Sequence, residues 1–341
     1  SDCDAEAASR ISRRIVDELA ASFDIQGRQL FVSASVGVAF FPEDGQDSSS
    51  LVKAADTAMY RAKELGRNRV EFFVPDLHVR LLKRATLESA MRAALDLGRL
   101  RLVYQPKFAL RPGRPLIGAE ALLRWRDPEL GEVSPAEFIP VCEASGLIKD
   151  LTRAVQQILI AQLVTWRALG LQVPPIAFNC SPRNMREADM ADVLIAALEE
   201  SGVPAKLLQV EITEGALLEN SEVVIANLNR LHQSGVAVSI DDFGTGYSSL
   251  TYLKRLPLAE LKVDKSFVDG LGSDPDDEAI ALAVLSLASA LSLRSVAEGV
   301  ETERQLQWLE THGCEVVQGY LLSRPLEAVD FEDLLARKAR A

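Results

Sequence analysis

The sequence has few of the side chains that usually hold zinc or form cross-links, with 4 cysteines and 3 histidines among 341 residues. The cysteines are Cys3, Cys142, Cys180 and Cys314, and the histidines are His78, His232 and His312. No CxxC pair occurs, which favours reduced thiols and a cytoplasmic location over a disulfide framework. No HxxxH pair occurs either, which argues against a zinc-protease site. A metal site in this chain would therefore depend on carboxylates.

Long hydrophobic runs are also missing. The longest uncharged apolar stretch, from Ala279 to Leu293, contains three serines and is shorter than the ~18 to 20 residues needed to cross a bilayer. The first residues, SDCDAEAASRISRR, lack the apolar centre and the cleavage pattern of a secretory signal. The sequence thus predicts no membrane segment and no secretory leader.

Positive charge is in deficit, because 37 Lys and Arg stand against 49 Asp and Glu, for a net charge of -12. Binding to a nucleic-acid polymer is disfavoured, since phosphate neutralisation needs a basic surface. A small anionic ligand would have to be held by bound cations or by a few local arginines. The composition, 48% hydrophobic and 25% charged, is typical of globular proteins, and the length suggests roughly two domains.

From Leu100 to about Leu326, short apolar, β-branched runs alternate with amphipathic stretches, which is the order of βα units in a parallel sheet. Eight candidate strands begin at Leu100, Leu116, Ile176, Leu207, Ala237, Glu260, Arg294 and Glu315. The stretches between most of them are long enough for crossover helices. The pattern predicts a (β/α)8 barrel of the usual ~250 residues.

Polar side chains recur near the carboxyl ends of seven of these strands. They are Glu120, Asn179, Glu211, Asp241 with Asp242, Lys262 with Asp264, Glu298, and Gln318. A buried parallel strand is normally almost all Val, Ile and Leu, so packing does not explain a polar group placed repeatedly at one end. In a barrel these ends meet at one mouth, where barrel enzymes carry their chemistry.

The strongest local motif is DDFGTGYSSL, residues 241–250. Two adjacent carboxylates repel each other, and a divalent cation between them makes their burial tolerable. A turn or a helix cap is the alternative for this pair taken alone. Together with Glu120, Asn179, Glu211 and Glu298, the oxygen-rich set suits Mg²⁺ or Mn²⁺, and bridging carboxylates suit two ions.

EALLRW at residues 120–125 resembles the motif that names the EAL-type cyclic di-GMP phosphodiesterases. Further matches are YQP from Tyr104, FNCS from Phe178, EITE from Glu211, DDFGTGYSSL, LKVDKSFV from Leu261, VAEGVET from Val296 and QGYLLSRPL from Gln318. The resemblance implies a TIM-like α/β barrel of EAL type with one strand antiparallel. It also implies hydrolysis of one phosphodiester bond of cyclic di-GMP to linear pGpG with two divalent cations, Mg²⁺ or Mn²⁺. Ca²⁺ is expected to bind and inhibit.

The same resemblance assigns roles to individual residues. The implied metal ligands are Glu120, Asn179, Glu211, Asp241, Asp242 and Glu298, and the implied catalytic groups are Lys262, Glu298, Asp241 and Asp242. The implied substrate contacts are Gln105, Arg124, Asp264 and Gln318, and loop support is expected from Glu214 and Glu301. From the residues alone, Lys262 is also compatible with a surface lysine, and Arg124 with a salt bridge to a neighbour such as Glu137.

The N-terminal part has a different pattern, which predicts a helix over 5–23, a strand from Phe31 and a helix over 50–66. Its sequences SASVGVAFFPEDG and AADTAMYRAKELGRNRV resemble the C-terminal half of a GGDEF, or diguanylate cyclase-like, α+β domain. The loop that names that domain is absent, so no cyclase activity is expected. The predicted domains are a GGDEF fragment over 1–75, a helical linker with the first barrel helix over 76–97, and the EAL barrel over 98–341.

The resemblance further predicts cyclic di-GMP as substrate and a homodimer through the barrel face near the loop Asp242–Ser249, whose two glycines permit a switch. A plain connecting turn is the alternative for that loop. A rival function is a non-catalytic barrel that binds cyclic di-GMP and signals through partners, and a third is a scaffold that only dimerises. The enzyme is favoured because the EAL glutamate and both DDFG aspartates are present.

Overall fold

The computed structural model describes residues 5–20, 22–25, 28–30, 32–73, 75–217, 222–244 and 253–338. The chain divides into two compact units, Ser1–Ser89 and Ala90–Ala341. Among the described residues, no helix is both long enough and apolar enough to cross a membrane.

The first unit is a small α/β arrangement with two short sheets. Its elements are α1 (Ala5–Ala20), β1 (Phe23–Ile25), β2 (Arg28–Leu30), β3 (Ser35–Val38), α2 (Ser48–Glu64) and β4 (Arg69–Phe72), and α3 (Pro75–Asp96) follows. Strands β1 and β2 pair antiparallel, and β3 and β4 pair in parallel. The predicted strand from Phe31 is shorter in the structure, because only four of its residues face a partner strand. The predicted first helix ends at Ala20, and Phe23 joins β1 instead.

Helix α2 lies two residues ahead of its predicted position because a capping box fixes its start. The Asp47 carboxylate accepts a hydrogen bond from the Ser50 backbone N–H at 2.7 Å, and the Ser50 hydroxyl accepts from the Asp47 N–H at 3.2 Å. The helix passes directly over Gly37 of β3, where an added Cβ would lie 2.0 Å from the Ala55 carbonyl oxygen. Only glycine permits this approach of helix and strand.

The second unit is a closed barrel of eight strands surrounded by helices. Its strands are β5 (Leu100–Ala109), β6 (Leu116–Asp127), β8 (Ile176–Asn179), β9 (Leu208–Thr213), β10 (Ala237–Phe243), β11 (Glu260–Val263), β12 (Arg294–Ala297) and β13 (Val316–Val317). A further short strand, β7 (Gly131–Val133), pairs with the outer end of β6. The order around the barrel is β5-β13-β12-β11-β10-β9-β8-β6, and β6 closes it by pairing with β5. All eight predicted strands are therefore confirmed.

One strand runs against the others. Strand β5 pairs antiparallel with both of its neighbours, β6 and β13, whereas the remaining neighbours in the barrel pair in parallel. The register places Gln105 opposite Glu120 and Lys107 opposite Gly118. The barrel with one antiparallel strand, expected from the resemblance, is confirmed.

Helices fill the connections between the strands. They are α4 (Pro135–Ser145), α5 (Ile148–Ala168), α6 (Pro182–Met185), α7 (Met190–Ser201), α8 (Glu222–Ser234), α9 (Lys265–Asp269), α10 (Pro275–Ala290), α11 (Glu303–Thr311) and α12 (Ala328–Lys338), with two 3₁₀ turns at Ala205–Leu207 and Glu214–Leu217. Tyr104, Trp166 and Phe331 form one aromatic cluster, with ring centroids 4.8 to 5.6 Å apart, between β5 and two of these helices. This apolar shell leaves the polar side chains to the barrel interior.

Candidate functional site

Carboxylates from four strands or strand ends meet at one end of the barrel. Glu120, Glu211 and Asp241 form one group, and Asp241, Asp242 and Glu298 form a second. Within each group the ligand atoms lie within 4.8 Å of one another, and Asp241 belongs to both. Strand ends from distant parts of the sequence meet here because parallel neighbours carry their carboxyl ends to the same edge of the barrel.

An irregularity in β10 explains how two consecutive aspartates both contribute. Neighbouring residues of a regular strand point to opposite faces, but the pairing of β10 with β11 shifts between Ile240 and Phe243. Within this shift Asp242 adopts a left-handed backbone, with φ of 53°, and its N–H donates to Asp241 Oδ1 at 3.0 Å. The bulge turns both carboxylates toward the mouth.

Lys262 lies at the centre of the acids, and its side chain is fully buried. Its Nζ lies 2.9 Å from Glu211 Oε2, 3.0 Å from Asp241 Oδ1 and 3.7 Å from Glu120 Oε2. It also forms an ion pair with Glu298. The interpretation of Lys262 as a surface lysine is therefore wrong, and the lysine provides positive charge where carboxylates predominate.

The pKa values of these groups are strongly perturbed. Burial opposes the charged form of Lys262, but Glu120, Glu211 and Glu298 outweigh it and raise the lysine pKa well above its usual value. Burial raises the pKa of Glu120, and neighbouring Glu211 raises it further. Burial likewise raises the pKa of Glu298 well above its usual value, against the opposing effect of Lys262.

Glu211 and Asp242 differ from each other in the sign of the shift. Burial favours the neutral form of Glu211, but Lys107 and Lys262 together lower its pKa to about 2. Burial, followed by the charge of Asp241, raises the pKa of Asp242 to about 7. Lys107 and Lys262 together cannot neutralise the five acids of the mouth, and a divalent cation would supply the missing positive charge.

Three amide side chains surround Glu120. Asn179 Nδ2 donates to Glu120 Oε1 at 2.7 Å, and Gln318 Nε2 donates to Glu120 Oε2 at 2.7 Å and to Gln105 Oε1 at 3.1 Å. The buried Gln318 Oε1 has no hydrogen-bond partner among the described residues. A buried acceptor left in this way is available to a ligand.

Other residues singled out from the sequence lie around this centre. Arg124 donates to the Leu123 carbonyl oxygen at 2.9 Å and lines a cavity beside the mouth. Asp264 caps α9 by accepting from the Ser266 N–H at 2.9 Å. Cys180 is buried, and burial raises its thiol pKa to about 12.

The two glutamates expected to support the loop after β10 differ in their contacts. Glu214 Oε2 accepts from the Gly244 N–H at 3.0 Å, at the end of the DDFG bulge. Glu301 pairs with Lys265. Residues 245–252 lie outside the described residues, so the roles of both glutamates toward that loop stay predictions, as does a dimer through Asp242–Ser249.

Lys107 was not selected from the sequence, although it belongs to the same cluster of charges. Its side chain is buried, and its Nζ lies 2.6 Å from Glu211 Oε1. The available signal was a lysine inside the apolar strand sequence LRLVYQPKFAL, at a position where a central strand normally has Val or Ile.

The cavity beside the mouth has a volume of about 280 Å³. Its walls are largely apolar, with Leu123, Ile139 and Leu151 among the lining residues, and polar groups of Arg124 and Asn179 lie along it. An apolar cleft with a few polar groups next to perturbed carboxylates is the usual form of a small-molecule site.

Fold and site together define a TIM-barrel protein whose mouth carries a carboxylate-rich centre suited to divalent cations. The chain belongs to the EAL domain family, whose profile matches residues 88–325. Residues 1–69 match the family described as diguanylate cyclase, GGDEF domain. Both resemblances found in the sequence are confirmed.

Two relatives from Pseudomonas aeruginosa are similar over nearly the whole chain. The cyclic di-GMP phosphodiesterase NbdA is 42% identical over 325 residues, covering 95% of this chain and 41% of that protein. The bifunctional diguanylate cyclase/cyclic di-GMP phosphodiesterase MucR is 40% identical over 332 residues, covering 97% of this chain and 48% of that protein. This chain thus spans less than half the length of these relatives.

A solved structure agrees with the barrel. It is described as PaMucR phosphodiesterase, c-di-GMP complex, and is 41% identical with a TM-score of 0.68, covering 72% of this chain and 99% of that chain.

Proposed function

We propose that the chain hydrolyses one phosphodiester bond of cyclic di-GMP to linear pGpG, using two divalent cations, Mg²⁺ or Mn²⁺. The observation that carries the proposal is the meeting of Glu120, Glu211, Asp241 and Glu298 around the buried Lys262. The relatives named for cyclic di-GMP hydrolysis support the choice of substrate. A barrel that only bound an anionic nucleotide would not need so concentrated an acidic centre.

The donor set fits two cations that share a ligand. Glu120, Glu211 and Asp241 would hold one, with Asn179 beside them, and Asp241, Asp242 and Glu298 would hold the other. Oxygen donors of this kind suit Mg²⁺ and Mn²⁺. When bound, such cations polarise a phosphoryl oxygen and lower the pKa of a water molecule.

The ionisable side chains of the mouth have two further roles, which are charge balance and proton binding. Lys262 remains an ammonium near neutral pH, because the surrounding acids raise its pKa, so it balances charge and orients carboxylates rather than acting as a base. Asp242 and Glu298 hold protons more readily than ordinary carboxyl groups. They are our candidates for holding a proton at the mouth when no cation is bound.

The cavity beside the mouth provides a place for the nucleotide. One guanine would pack on the apolar wall that includes Leu123 and Leu151, with a phosphate near the Arg124 guanidinium. A planar guanidinium binds phosphate oxygens through paired hydrogen bonds. Gln105 and Gln318 lie against Glu120, and Asp264 lies close enough to Asp242 to influence its pKa, so these three would contact substrate at the acidic side.

The proposal is tested by incubating the purified chain with cyclic di-GMP and resolving the products by ion-exchange chromatography. Linear pGpG is expected with Mg²⁺ or Mn²⁺ and not with a chelator. Ca²⁺ is expected to bind without supporting turnover, because it accepts oxygen ligands at longer distances of about 2.3 to 2.6 Å and irregular geometry. Nucleotide binding without cleavage under every metal condition would instead identify the non-catalytic barrel.

A homodimer and a cytoplasmic location belong to the same proposal. The dimer is proposed from the family resemblance of the loop Asp242–Ser249, and sedimentation at micromolar concentration tests it. A reducing compartment is supported by the buried cysteines Cys142, Cys180 and Cys314, which form no disulfide within the described part of the chain.

A further inference from the structure

Glu211 is held by two different lysines, one at each oxygen. Lys107 Nζ lies 2.6 Å from Oε1, and Lys262 Nζ lies 2.9 Å from Oε2. Lys262 is also the lysine that contacts Glu120, Asp241 and Glu298. Oε1 is therefore committed to Lys107, and Oε2 is the oxygen on the side of the other carboxylates.

Lys107 is fixed in place by its surroundings. It follows Gln105 by two residues on β5, so both side chains share the inner face, and it lies opposite Gly118. The stem of Lys107 lies against Gly118, where an added Cβ would be 3.8 Å from Lys107 Cδ, an ordinary van der Waals distance. The side chain is only 3% exposed, so its ammonium has no route to solvent.

A second carboxylate near Lys107, that of Glu260, already accepts hydrogen bonds from other donors. Glu260 Oε2 lies 4.0 Å from Lys107 Nζ, but it accepts from Gln209 Nε2 at 2.6 Å, and Glu260 Oε1 accepts from Arg294 at 3.0 Å. The short contact of Lys107 is the one with Glu211. Lys107 thus acts on the mouth rather than serving mainly as the partner of Glu260.

We propose that Lys107 is a positioning residue that presents Glu211 to a divalent cation through Oε2 alone. This inference rests on the proposed metal-dependent function. An ammonium bonded to Oε1 fixes the rotation of the carboxylate and prevents both oxygens from turning toward the same cation. Groups that orient a ligating carboxylate in this way typically change metal affinity by about 10- to 100-fold when removed.

The test is the affinity of the whole chain for Mn²⁺ alone, measured by the electron paramagnetic resonance signal of free Mn²⁺. Lys107→Met keeps the length of the stem and removes the charge, and we expect Mn²⁺ binding about 10- to 100-fold weaker. Lys107→Arg returns a cation to the position and is expected to bind Mn²⁺ more tightly than Lys107→Met. If Lys107 only fills space, Lys107→Met is expected to bind Mn²⁺ more tightly than Lys107→Arg, because methionine matches the shape of the lysine stem more closely. That result would overturn the proposal.

Arg294→Met is the matched control, since it removes a cation from the same network without touching Glu211. Its Mn²⁺ affinity is expected to stay within about twofold of wild type, as for independent sites. Equal losses in Lys107→Met and Arg294→Met would overturn the proposal, because the network as a whole would then be responsible. Unchanged affinity in a folded Lys107→Met would overturn it directly.

If Lys107→Met does not fold, the double variant Lys107→Met/Glu260→Gln decides the question, because it removes one positive and one negative charge together. Weaker Mn²⁺ binding than in Glu260→Gln supports the proposal, and equal binding overturns it. The proposed function fails separately: a wild-type chain that binds Mn²⁺ without cleaving cyclic di-GMP overturns hydrolysis and leaves the role of Lys107 standing. A wild-type chain that binds no Mn²⁺ overturns both.

Discussion

Two layers of polar side chains inside the barrel differ in charge balance. We call Glu120, Glu211, Asp241, Lys262 and Glu298 the mouth layer, and Lys107, Gln209 and Glu260 the lower layer. In the lower layer, Glu260 is bonded by Gln209 and Arg294 and lies near Lys107. In the mouth layer, four carboxylates surround a single lysine.

The difference separates structural charges from functional ones. A buried charge with matched partners is compatible with a purely structural role, whereas an excess of one sign is costly unless something else binds there. We therefore expect substitutions in the mouth layer to affect metal binding and catalysis, and substitutions of Gln209 or Glu260 in the lower layer to affect stability. Lys107 is the exception in the lower layer, because it contacts Glu211 of the mouth layer.

The largest expected effect is that of Glu120→Gln. This change removes one mouth carboxylate at constant shape, and hydrolysis of cyclic di-GMP is expected to fall by more than about 100-fold, beyond the range for a residue that only orients a ligand. Turnover is measured by chromatography of pGpG. The urea midpoint without metal is expected to change little. Burial raises the pKa of Glu120 and so favours its neutral form, which glutamine resembles.

Glu132→Gln is the control for that change. Glu132 lies on β7, with its side chain 55% exposed and 3.4 Å from Arg101, so turnover should match wild type. Near wild-type turnover in Glu120→Gln would break the distinction between the layers.

The next effect is expected from Glu260→Gln in the lower layer. The change weakens the bonds from Gln209 and Arg294 and leaves Lys107 with Glu211 alone. We expect the free energy of unfolding to fall by about 1–3 kcal/mol, the cost of disturbing a buried charged hydrogen bond. Urea unfolding measures this, and Mn²⁺ affinity should change less than in Lys107→Met. If Glu260→Gln lost more free energy of Mn²⁺ binding than free energy of unfolding, the distinction between the two layers would be wrong.

A smaller effect is expected from pH. The pKa of Asp242, about 7 against an ordinary 3.8, means that the metal-free native protein keeps a proton that the unfolded chain has lost. Stability without metal should therefore fall as pH rises from about 4 through about 7. Cation binding requires the deprotonated form, so Mn²⁺ affinity should rise over the same interval, by at most about tenfold per pH unit for one proton.

Mn²⁺ titrations at about pH 6 and about pH 8 test this prediction, since both lie close to the pKa of Asp242. Asp242→Asn is the control, because it removes the titrating group and should flatten part of the dependence. An affinity that does not change with pH would show that Asp242 does not hold an extra proton in the metal-free protein.

The smallest effect is expected from Glu214→Ala, at the border of the mouth layer. The substitution leaves the Gly244 N–H without the acceptor it has at 3.0 Å, so the DDFG bulge should loosen at a cost of about 1 kcal/mol. Turnover and urea midpoint are both measured. Glu301→Ala is the comparison, because Glu301 pairs with Lys265 at an exposed site, where ion pairs contribute little. Equal effects would mean that the Gly244 contact has no special role.

The sequence by itself determined the number of barrel strands and which residues stand at their carboxyl ends. Both follow from local patterns: β-branched runs separated by helical stretches predict βα units, and a polar group at the end of an apolar run is visible without knowing its neighbours. The family resemblance added the reversed first strand of the barrel, which periodicity alone does not indicate, since a strand has the same pattern in both directions.

Only the tertiary structure decided which charges touch. Lys107 and Glu211 are 104 residues apart, and their contact depends on how β5 and β9 face each other across the closed barrel. The left-handed Asp242, which brings consecutive aspartates to one side, arises where β10 and β11 change register. Contacts across a barrel depend on closure and stagger of all its strands, which no local stretch of sequence contains.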